Sequence, residues 1–222
     1  MFKLFIWDLD NTVVGSSRLL WGAFRWVAEH FAQRLMSPRE IVSLYGPPED
    51  VVIEQIVGKE KKEEALQAFY KFYEQEHDRL VTLFPGVLDI LSFLRAKGVK
   101  QALFTSKGRK SAYITLERLH IGHHFDFVLC GDEVERAKPY PNGVIRILQH
   151  FGVHPQEVLY VGDSPLDAQA AHDAGVAFAL ALWDSFHQSE AQSIKAEYVF
   201  ATPEAMFLWV REMYGGENNG VL

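Results

Sequence analysis

The sequence of 222 residues lacks three features, and each absence excludes a class of protein. It has a single cysteine, Cys130, so no intrachain disulfide can form, which fits a reducing compartment. No run approaches the roughly 20 apolar residues of a membrane span, and the apolar run after Lys3 is too short for a signal peptide. The formal net charge of -7 disfavours nucleic-acid binding, because a polyanion requires an excess of Lys and Arg. We therefore expect a cytoplasmic protein without nucleic-acid or membrane partners, and the oligomeric state stays open.

The sequence does contain enough apolar material for a core, with 48% apolar and 23% charged residues. Short apolar runs that end at acidic or turn residues predict buried strands, and segments with helical spacing separate them. The predicted strands cover 4–7, 101–104, 125–130, 158–161, 176–182 and 198–200. The predicted helices between them cover 89–97, 108–119, 144–151 and 168–174. Continuous apolar strands alternating with helices indicate an α/β fold with a parallel sheet that is covered on both faces.

Residues 15–81 break this alternation, because they contain no convincing strand. An apolar stripe predicts a helix over Arg18–Met36, and Ser37 to Glu40 has the spacing of a capping box. Two further helices are predicted from Pro47 to about Gly58 and over Glu60–Leu80. We predict a helical block inserted after the first strand, with residues 1–14 and 82–222 forming an α/β core. The tail from Gly215 to Leu222 is expected to fray.

Acidic residues follow the first predicted strand in the segment Asp8-Leu9-Asp10-Asn11-Thr12. Carboxylates two residues apart lie on one side of an extended chain, at the strand end where open α/β sheets bind ligands. Clustered carboxylates repel each other unless a cation lies between them, and a hard divalent ion such as Mg²⁺ meets that need. A simple strand-end turn is the alternative, because Asp and Asn favour turns.

Three more polar segments follow, or come soon after, other predicted strands. Thr105 and Ser106 offer hydroxyl and backbone N–H groups that could hold a phosphoryl oxygen, although either could equally be a helix cap. Lys138, which precedes a proline, could neutralise a bound phosphate or could simply be a solvated loop residue. Asp163 and Asp167 could complete a metal site, although Asp167 would also suit the positive end of a helix. Because these segments converge on one edge of the sheet, their combination points to phosphate chemistry.

In this order and spacing the segments resemble the haloacid dehalogenase superfamily, in its phosphatase branch. The shared pattern is Asp-x-Asp-x-Thr, a Ser or Thr, a Lys, and Gly-Asp-x-x-x-Asp, and it runs through nearly the whole chain. The segment Lys138–Leu182 is the most similar to a phosphoglycolate phosphatase. The resemblance implies a Rossmann-like parallel sheet with an inserted helical cap, for which residues 15–81 are the candidate. It also implies a small phosphorylated metabolite as substrate, with phosphoglycolate as the first candidate.

The resemblance further implies a role for each motif residue. Asp8 would be the nucleophile and Asp10 the general acid and base, in a reaction that passes through an aspartyl-phosphate. Thr105 would hold the phosphoryl group, assisted by Ser106, and Lys138 would neutralise its charge. The residues expected to build the Mg²⁺ site are Asp8, Asp10 through its backbone carbonyl, Asp163 and, as a supporting residue, Asp167.

The chain departs from the family's pattern at the hinge of the cap. Asn11 stands where close relatives usually have Gly, and Gly15-Ser16 stands where many have Asp-Ser. Neither change removes a catalytic group, but both affect the entrance of the pocket and hence the choice of substrate. A phosphomutase of the same superfamily, or a non-catalytic binding module on the same fold, remains as an alternative. A dehalogenase is disfavoured because that reaction has no use for the acid at Asp10.

Overall fold

The structure is a computed structural model that describes residues 1–184 and 194–215. The expected fraying of residues 216–222, and part of the predicted core range 82–222, therefore lie outside the described residues. Within them, no helix has the length and apolar character needed to cross a membrane.

A parallel sheet of six strands forms the centre of the molecule, in the order β5-β4-β1-β6-β7-β8. Each pair of neighbouring strands in this sheet runs parallel. The six strands are β1 (Leu4–Trp7), β4 (Lys100–Phe104), β5 (Phe127–Leu129), β6 (Val158–Gly162), β7 (Ala177–Ala181) and β8 (Tyr198–Phe200). All six predicted strands are confirmed, with β5 shorter than expected because Phe125 and Cys130 lie outside the ladder. The α/β fold class predicted from the sequence is therefore correct.

Alternate residues of the central strands point to opposite faces of the sheet, as the pleat requires. Phe5 and Trp7 of β1 pack into one apolar cluster, whereas Leu4 and Ile6 pack into another, and all four are fully buried. In the described part of the chain, five helices flank the strands: α5 (Val87–Ala96), α6 (Arg109–Arg118), α7 (Asn142–Phe151), α8 (Pro165–Asp173) and α9 (Pro203–Gly215). Residues of α5, α6 and α9 belong to the first cluster, and residues of α7 and α8 belong to the second.

Between β1 and α5 the chain forms a block of four helices. They are α1 (Ser17–Phe31), α2 (Pro38–Val42), α3 (Glu49–Val57) and α4 (Lys62–Leu80). The predicted capping box is present at α2, where Ser37 accepts a hydrogen bond from the backbone N–H of Glu40. The predicted continuation of α1 to Met36 is wrong, because Gln33 adopts a left-handed conformation with φ 52° and the helix ends before it.

A short two-stranded ribbon joins this block to the sheet. It pairs β2 (Val14–Gly15) with β3 (Thr82–Leu83) in antiparallel orientation. The ribbon places Gly15 in a strand, which corrects the expectation that residues 15–81 contain none. Two-residue strands carry no periodic signal, so the sequence could not reveal them.

Candidate active site

The carboxyl ends of three adjacent strands bring most of the candidate residues together. Parallel pairing aligns Trp7 with Leu103 on one side and with Val161 on the other. Asp8, Thr105 and Asp163 come within two residues of these aligned positions, so the register alone places them at one edge of the sheet. Asp8, at the end of the central strand, is fixed by a 2.9 Å hydrogen bond from its backbone N–H to the carbonyl of Val161.

Lys138 reaches this edge from a loop that lies several residues beyond β5. Its Nζ lies 2.6 Å from Oδ1 of Asp8 and 2.6 Å from Oδ1 of Asp167, and it donates to the carbonyl of Phe104 at 3.3 Å. The side chain is only 3% exposed, so the solvated-loop alternative is wrong for this lysine. Removing Lys138 would leave the buried carboxylates of Asp8 and Asp167 without their cation, a loss that typically costs about 3–5 kcal/mol.

Asp167 in the first turn of α8 is fully engaged by its neighbours. Besides Lys138, its Oδ1 accepts a hydrogen bond from the Tyr160 hydroxyl at 3.0 Å, and its Oδ2 accepts one from the Ser164 hydroxyl at 2.6 Å. A side chain at Gly162 would put a Cβ 2.7 Å from Asp167, so this close approach requires glycine. Asp167 is thus held rigidly, and it in turn holds Lys138.

Asp163 faces Asp8 across the same edge. Its Oδ1 accepts a hydrogen bond from Thr12 Oγ1 at 3.3 Å, which links the segment after β1 to the segment after β6. One carboxylate oxygen from each of Asp8, Asp163 and Asp167 lies within 4.8 Å of the others, and all three residues are buried.

Burial of these carboxylates strongly disfavours their charged forms in the metal-free protein. Burial raises the pKa of Asp8 to about 7 even though Lys138 opposes the shift, and the charges of Asp167 and Asp10 add to the increase. Burial, and then the charge of Asp8, hold the pKa of Asp163 well above its usual range. For Lys138, burial alone would lower the pKa, but Asp167 and Asp8 outweigh it and raise the pKa above the ordinary value.

This donor set fits a divalent cation. When ionised, the three buried carboxylates bring three negative charges to one small region, where Lys138 contributes one positive charge through its contacts with Asp8 and Asp167. A hard ion with two positive charges and oxygen ligands would balance them. The carboxylate of Asp10 lies outside this group, so the backbone carbonyl of Asp10 stays the predicted ligand from that residue.

The Asp10 side chain points to different partners. One carboxylate oxygen accepts a short hydrogen bond from the hydroxyl of Ser16, and the other lies 3.2 Å from Nζ of Lys107. The Asp8 carboxylate therefore lies beside Lys138, whereas the Asp10 carboxylate lies beside Lys107. These different environments allow the two carboxylates to perform different tasks.

A cavity of about 120 Å³ opens in front of these groups. The candidate residues on its wall are Asp8, Asp10, Thr105, Ser106, Lys138, Asp163 and Asp167. The helical block supplies the opposite wall through Leu20, Phe24, Leu44, Tyr45 and Val52. Thr105 is buried and its Oγ1 accepts from the backbone N–H of Lys107 at 3.2 Å. A larger open depression of about 910 Å³, lined by residues such as Tyr113 and His120, contains none of these carboxylates.

Sequence reasoning missed two buried charged residues on this wall. Lys107 lies just after Thr105 and Ser106, and Glu49 comes from the first turn of α3 in the helical block. Glu49 accepts a 2.6 Å hydrogen bond from the backbone N–H of Gly108 and a short one from the Ser111 hydroxyl. The sequence could not reveal this contact between the helical block and the start of α6, since 59 positions separate Glu49 from Gly108.

The departure at Asn11 is conformationally conservative. Asn11 has φ 63°, a left-handed conformation that favours Gly and that Asn tolerates better than other residues. Its Oδ1 accepts a 2.7 Å hydrogen bond from Ser17 at the start of α1. Asn11 thus provides the same turn as a glycine and adds a contact between the first motif and the helical block.

Comparison with known proteins agrees with this geometry. The family model described as haloacid dehalogenase-like hydrolase matches residues 5–181, which include every candidate site residue. The chain belongs to this family. The resemblance read from the motifs is thereby confirmed, and this member of the haloacid dehalogenase-like hydrolases is expected to act as a hydrolase.

Two relatives and one solved structure show which members of the family are similar to this chain. Phosphoglycolate phosphatase 1 of Pseudomonas aeruginosa is 30% identical over 183 residues, covering 78% of this chain and 67% of the relative. Pyrophosphatase PpaX of Oceanobacillus iheyensis is 27% identical over 197 residues, covering 89% of this chain and 91% of the relative. The crystal structure of a predicted phosphoglycolate phosphatase from Haemophilus somnus has a TM-score of 0.83 at 25% identity, covering 94% of this chain and 97% of that one. The Rossmann-type α/β fold expected from the resemblance is thereby confirmed.

Proposed function

We propose that this haloacid dehalogenase-like hydrolase is a phosphatase that hydrolyses a small phosphomonoester through a phosphorylated Asp8. The observation that supports this most strongly is the contact between Asp8 and Lys138, buried together at the edge of the cavity. Lys138 holds Oδ1 of Asp8, which leaves Oδ2 to attack phosphorus. A small phosphorylated metabolite of the cytoplasm is the expected substrate.

The reaction has two steps, formation and hydrolysis of the phosphorylated Asp8, and residues of this chain have a role in each. Asp8 forms a bond to phosphorus while the bond to the leaving oxygen breaks, and Asp10 donates a proton to that oxygen. Water then attacks phosphorus, Asp10 takes its proton, and the bond to Asp8 breaks, which releases inorganic phosphate. Thr105 and Ser106 bind phosphoryl oxygens, and Lys138 offsets their negative charge.

The carboxylates of Asp8, Asp163 and Asp167, together with the carbonyl of Asp10, are the groups that we expect to hold Mg²⁺. Their buried excess of negative charge supports this assignment, although Asp167 already uses both oxygens in hydrogen bonds. Mg²⁺ would supply a hard positive charge against the phosphoryl oxygens. Asp167 fits a supporting role, because it orients Lys138.

We predict that removal of the metal abolishes turnover of p-nitrophenyl phosphate and that Mg²⁺ restores it. Ca²⁺ should bind and compete with Mg²⁺ but support turnover poorly, because its looser coordination would misplace Asp8. The measurement is a rate assay on chelator-treated protein titrated with each ion. Full activity in a preparation shown by elemental analysis to be metal-free would refute the assignment.

We also propose that residues 15–81 form a cap domain that moves on residues 1–14 and 82–222 and selects the substrate. The cap covers the cavity with apolar side chains. It contacts the core through the apolar cluster that it shares with Leu103 and Leu116, and through polar groups such as Tyr73, whose hydroxyl lies 2.8 Å from Thr115 Oγ1. Closure would exclude water during the first step, and opening would admit it for the second.

The cap makes a testable contribution to specificity through Leu44, which lines the cavity. We expect Leu44→Ala to change the ranking of phosphorylated metabolites by more than it changes the rate with p-nitrophenyl phosphate. Leu35→Ala is the matched control, because Leu35 is 77% exposed and lies away from the cavity lining. An identical substrate ranking for wild type and Leu44→Ala would contradict the proposal.

The volume of the cavity limits the size of the substrate. About 120 Å³ is small compared with the roughly 300–1,000 Å³ of pockets for drug-sized ligands, so a compact phosphoester is favoured. Phosphoglycolate and pyrophosphate, the substrates that the relatives' names imply, are both compact. A sugar phosphate, which a phosphomutase would need, fits the closed cavity less well. A screen of phosphorylated metabolites with the Mg²⁺-loaded enzyme is the direct test of the function.

A further inference from the structure

Helix α6 contacts the helical block through a row of polar side chains. The row occupies one face of the helix, because its members are spaced by four and three residues: Ser111, Thr115 and Arg118. Their partners in the block are, in the same order, Glu49, the pair Tyr73 and His77, and Asp78. A titratable imidazole therefore lies in the middle of the contact between α4 and α6.

His77 is fully buried in this contact, although the next residue of α4, Asp78, is 67% exposed. Nε2 of the imidazole lies 3.2 Å from Oγ1 of Thr115, and Nδ1 lies 3.2 Å from Oδ1 of Asp78. Asp78 in turn pairs with Arg118 of α6 at 2.8 Å. The ring thus connects a buried hydroxyl of α6 with an ion pair at the surface.

The partners of His77 determine which ring nitrogen carries the proton. The hydrogen bond from His77, together with Arg118, holds the pKa of Asp78 below its usual range, so Asp78 is charged. A charged carboxylate only accepts, so Nδ1 donates to Asp78 and the neutral ring presents Nε2 as an acceptor. The Thr115 hydroxyl therefore donates to Nε2, and its oxygen accepts from the Tyr73 hydroxyl at 2.8 Å.

A second proton on His77 would break the bond with Thr115 in its present direction. Nε2 would become a donor and would face the hydrogen of the Thr115 hydroxyl. That hydroxyl, which now links Tyr73 to His77, would have to turn its hydrogen away from the ring. The protonated ring is therefore a poorer partner for α6 than the neutral ring.

The charges around His77 also disfavour a second proton. The titratable groups that act on the ring are Asp78 and Tyr73 on α4, Arg118 on α6 and Lys107 in the loop before α6. Burial lowers the pKa of His77, and the positive charges of Arg118 and Lys107 act in the same direction. Asp78 opposes them, but its carboxylate is mostly exposed and already paired with Arg118, so it compensates the buried charge only in part.

We propose that His77 is a pH-sensitive switch between α4 and α6: the neutral ring holds the two helices together, and the protonated ring releases this contact. The inference goes beyond the proposed function, because it concerns the position of α4 and holds whether or not the protein is a phosphatase. Release would still reach the cavity, since the ring centre of Tyr73 on α4 lies 4.8 Å from Nζ of Lys107 on the cavity wall.

The pH range of the switch follows from the difference between the two states. Once α4 is released, His77 is exposed and titrates near the ordinary pKa of about 6.5, whereas in the contact its pKa is lower. Above about pH 6.5 the ring is neutral in both states and the contact is at its strongest. Below that pH the released state takes up the proton first, so the contact weakens by at most about tenfold per pH unit until the lower pKa is passed.

Hydrogen–deuterium exchange of the wild-type protein between about pH 5 and 8 tests the switch without any substrate. The quantity compared is the protection factor, because division by the intrinsic exchange rate at each pH removes the pH dependence of the exchange chemistry. We expect protection of the segments 73–80 and 111–118 to be constant above about pH 7 and to fall by roughly threefold to tenfold between about pH 6.5 and 5.5.

Helix α7 is the internal reference for this experiment, because it packs into the apolar cluster on the other face of the sheet. Its protection should not follow the fall seen in α4 and α6. A parallel fall in α7 would mean that the whole protein unfolds, and constant protection of α4 and α6 over the range would mean that no release occurs. Either result would overturn the inference.

The variant His77→Gln assigns the effect to this ring. Glutamine keeps an oxygen that can accept from Thr115 and has no charge at any pH, so the protection of α4 and α6 should no longer depend on pH. His30→Gln is the matched control, because His30 is an exposed histidine of the same helical block, and it should retain the pH dependence of the wild type. An unchanged pH dependence in His77→Gln would show that another group is responsible.

An NMR titration of the wild type covers the case in which His77→Gln does not fold. The ring resonances of His77 should titrate with a pKa below about 6.5 in the substrate-free protein. A pKa at or above that value would overturn the inference, because protonation would then no longer favour release. Neither measurement uses activity, so a failure of the phosphatase proposal leaves both results interpretable.

Discussion

Replacing Asp8 by Asn is expected to lower kcat with p-nitrophenyl phosphate by roughly 10⁴-fold or more, the scale seen when an enzyme loses its nucleophile. An amide cannot form the bond to phosphorus that a carboxylate forms. The phosphorylated enzyme should disappear as well, because Asp8 is its proposed site. The measurement combines steady-state rates with acid quenching of the enzyme during turnover of a ³²P-labelled substrate.

The variant should remain folded, which makes the loss of activity interpretable. Burial raises the pKa of Asp8 from 3.8 to about 7, so in the metal-free protein the cost of burying its charge grows as the pH rises between these values and is complete above about 7. Asn removes that charge, and Lys138 keeps its 2.6 Å contact with Asp167. Denaturant unfolding without metal should therefore show stability at or above that of the wild type.

A matched control separates the role of Asp8 from a general effect of removing a carboxylate. Asp173 is exposed on α8, where it accepts a hydrogen bond from Gln169 one turn away, so Asp173→Asn should retain full activity. A phosphorylated protein that persists in Asp8→Asn would move the nucleophile to another residue, with Asp10 as the next candidate.

Much of the fold could be read from local patterns because its strands are buried on both faces. The predicted run 4–7 coincides with β1, and 198–200 coincides with β8. The helix α9 was not predicted, because the continuous apolar run Ala205–Val210 obscures the stripe formed by its buried residues. The end of α1 was also missed, since the left-handed conformation of Gln33 depends on how the chain turns into α2.

The sequence predicted the positions of site residues that directly follow a strand. It did not predict contacts between side chains of distant segments. Asp8 and Asp163 follow adjacent parallel strands, so their proximity follows from topology. The contact of Lys138 with Asp167 joins a loop to the first turn of α8, and only the motif order suggested it. Lys107 had no distinguishing signal, because burial decides whether a lysine is a solvated surface residue or a binding group, and burial is a property of the folded chain.

Replacing Asp10 by Asn should have an effect that depends on the leaving group. With an alkyl phosphate the first step needs a proton for the leaving oxygen and should slow by roughly 10²-fold or more. With p-nitrophenyl phosphate the leaving group departs without a proton, so the first step should be largely unaffected. Asn can still accept the hydrogen bond from Ser16, so the local shape should be preserved.

The second step provides the sharper test, because water attack needs the same residue as a base with every substrate. In Asp10→Asn the phosphorylated Asp8 should therefore accumulate with p-nitrophenyl phosphate, and one equivalent of p-nitrophenol should appear in a burst before slow turnover. Rapid-quench measurements on both substrates distinguish the two steps. Equal slowing of the first step with both substrates, together with no burst, would mean that Asp10 shapes the site without transferring a proton. The contacts of its carboxylate argue against that outcome, since Ser16 and Lys107 hold it away from the cluster formed by Asp8, Asp163 and Asp167.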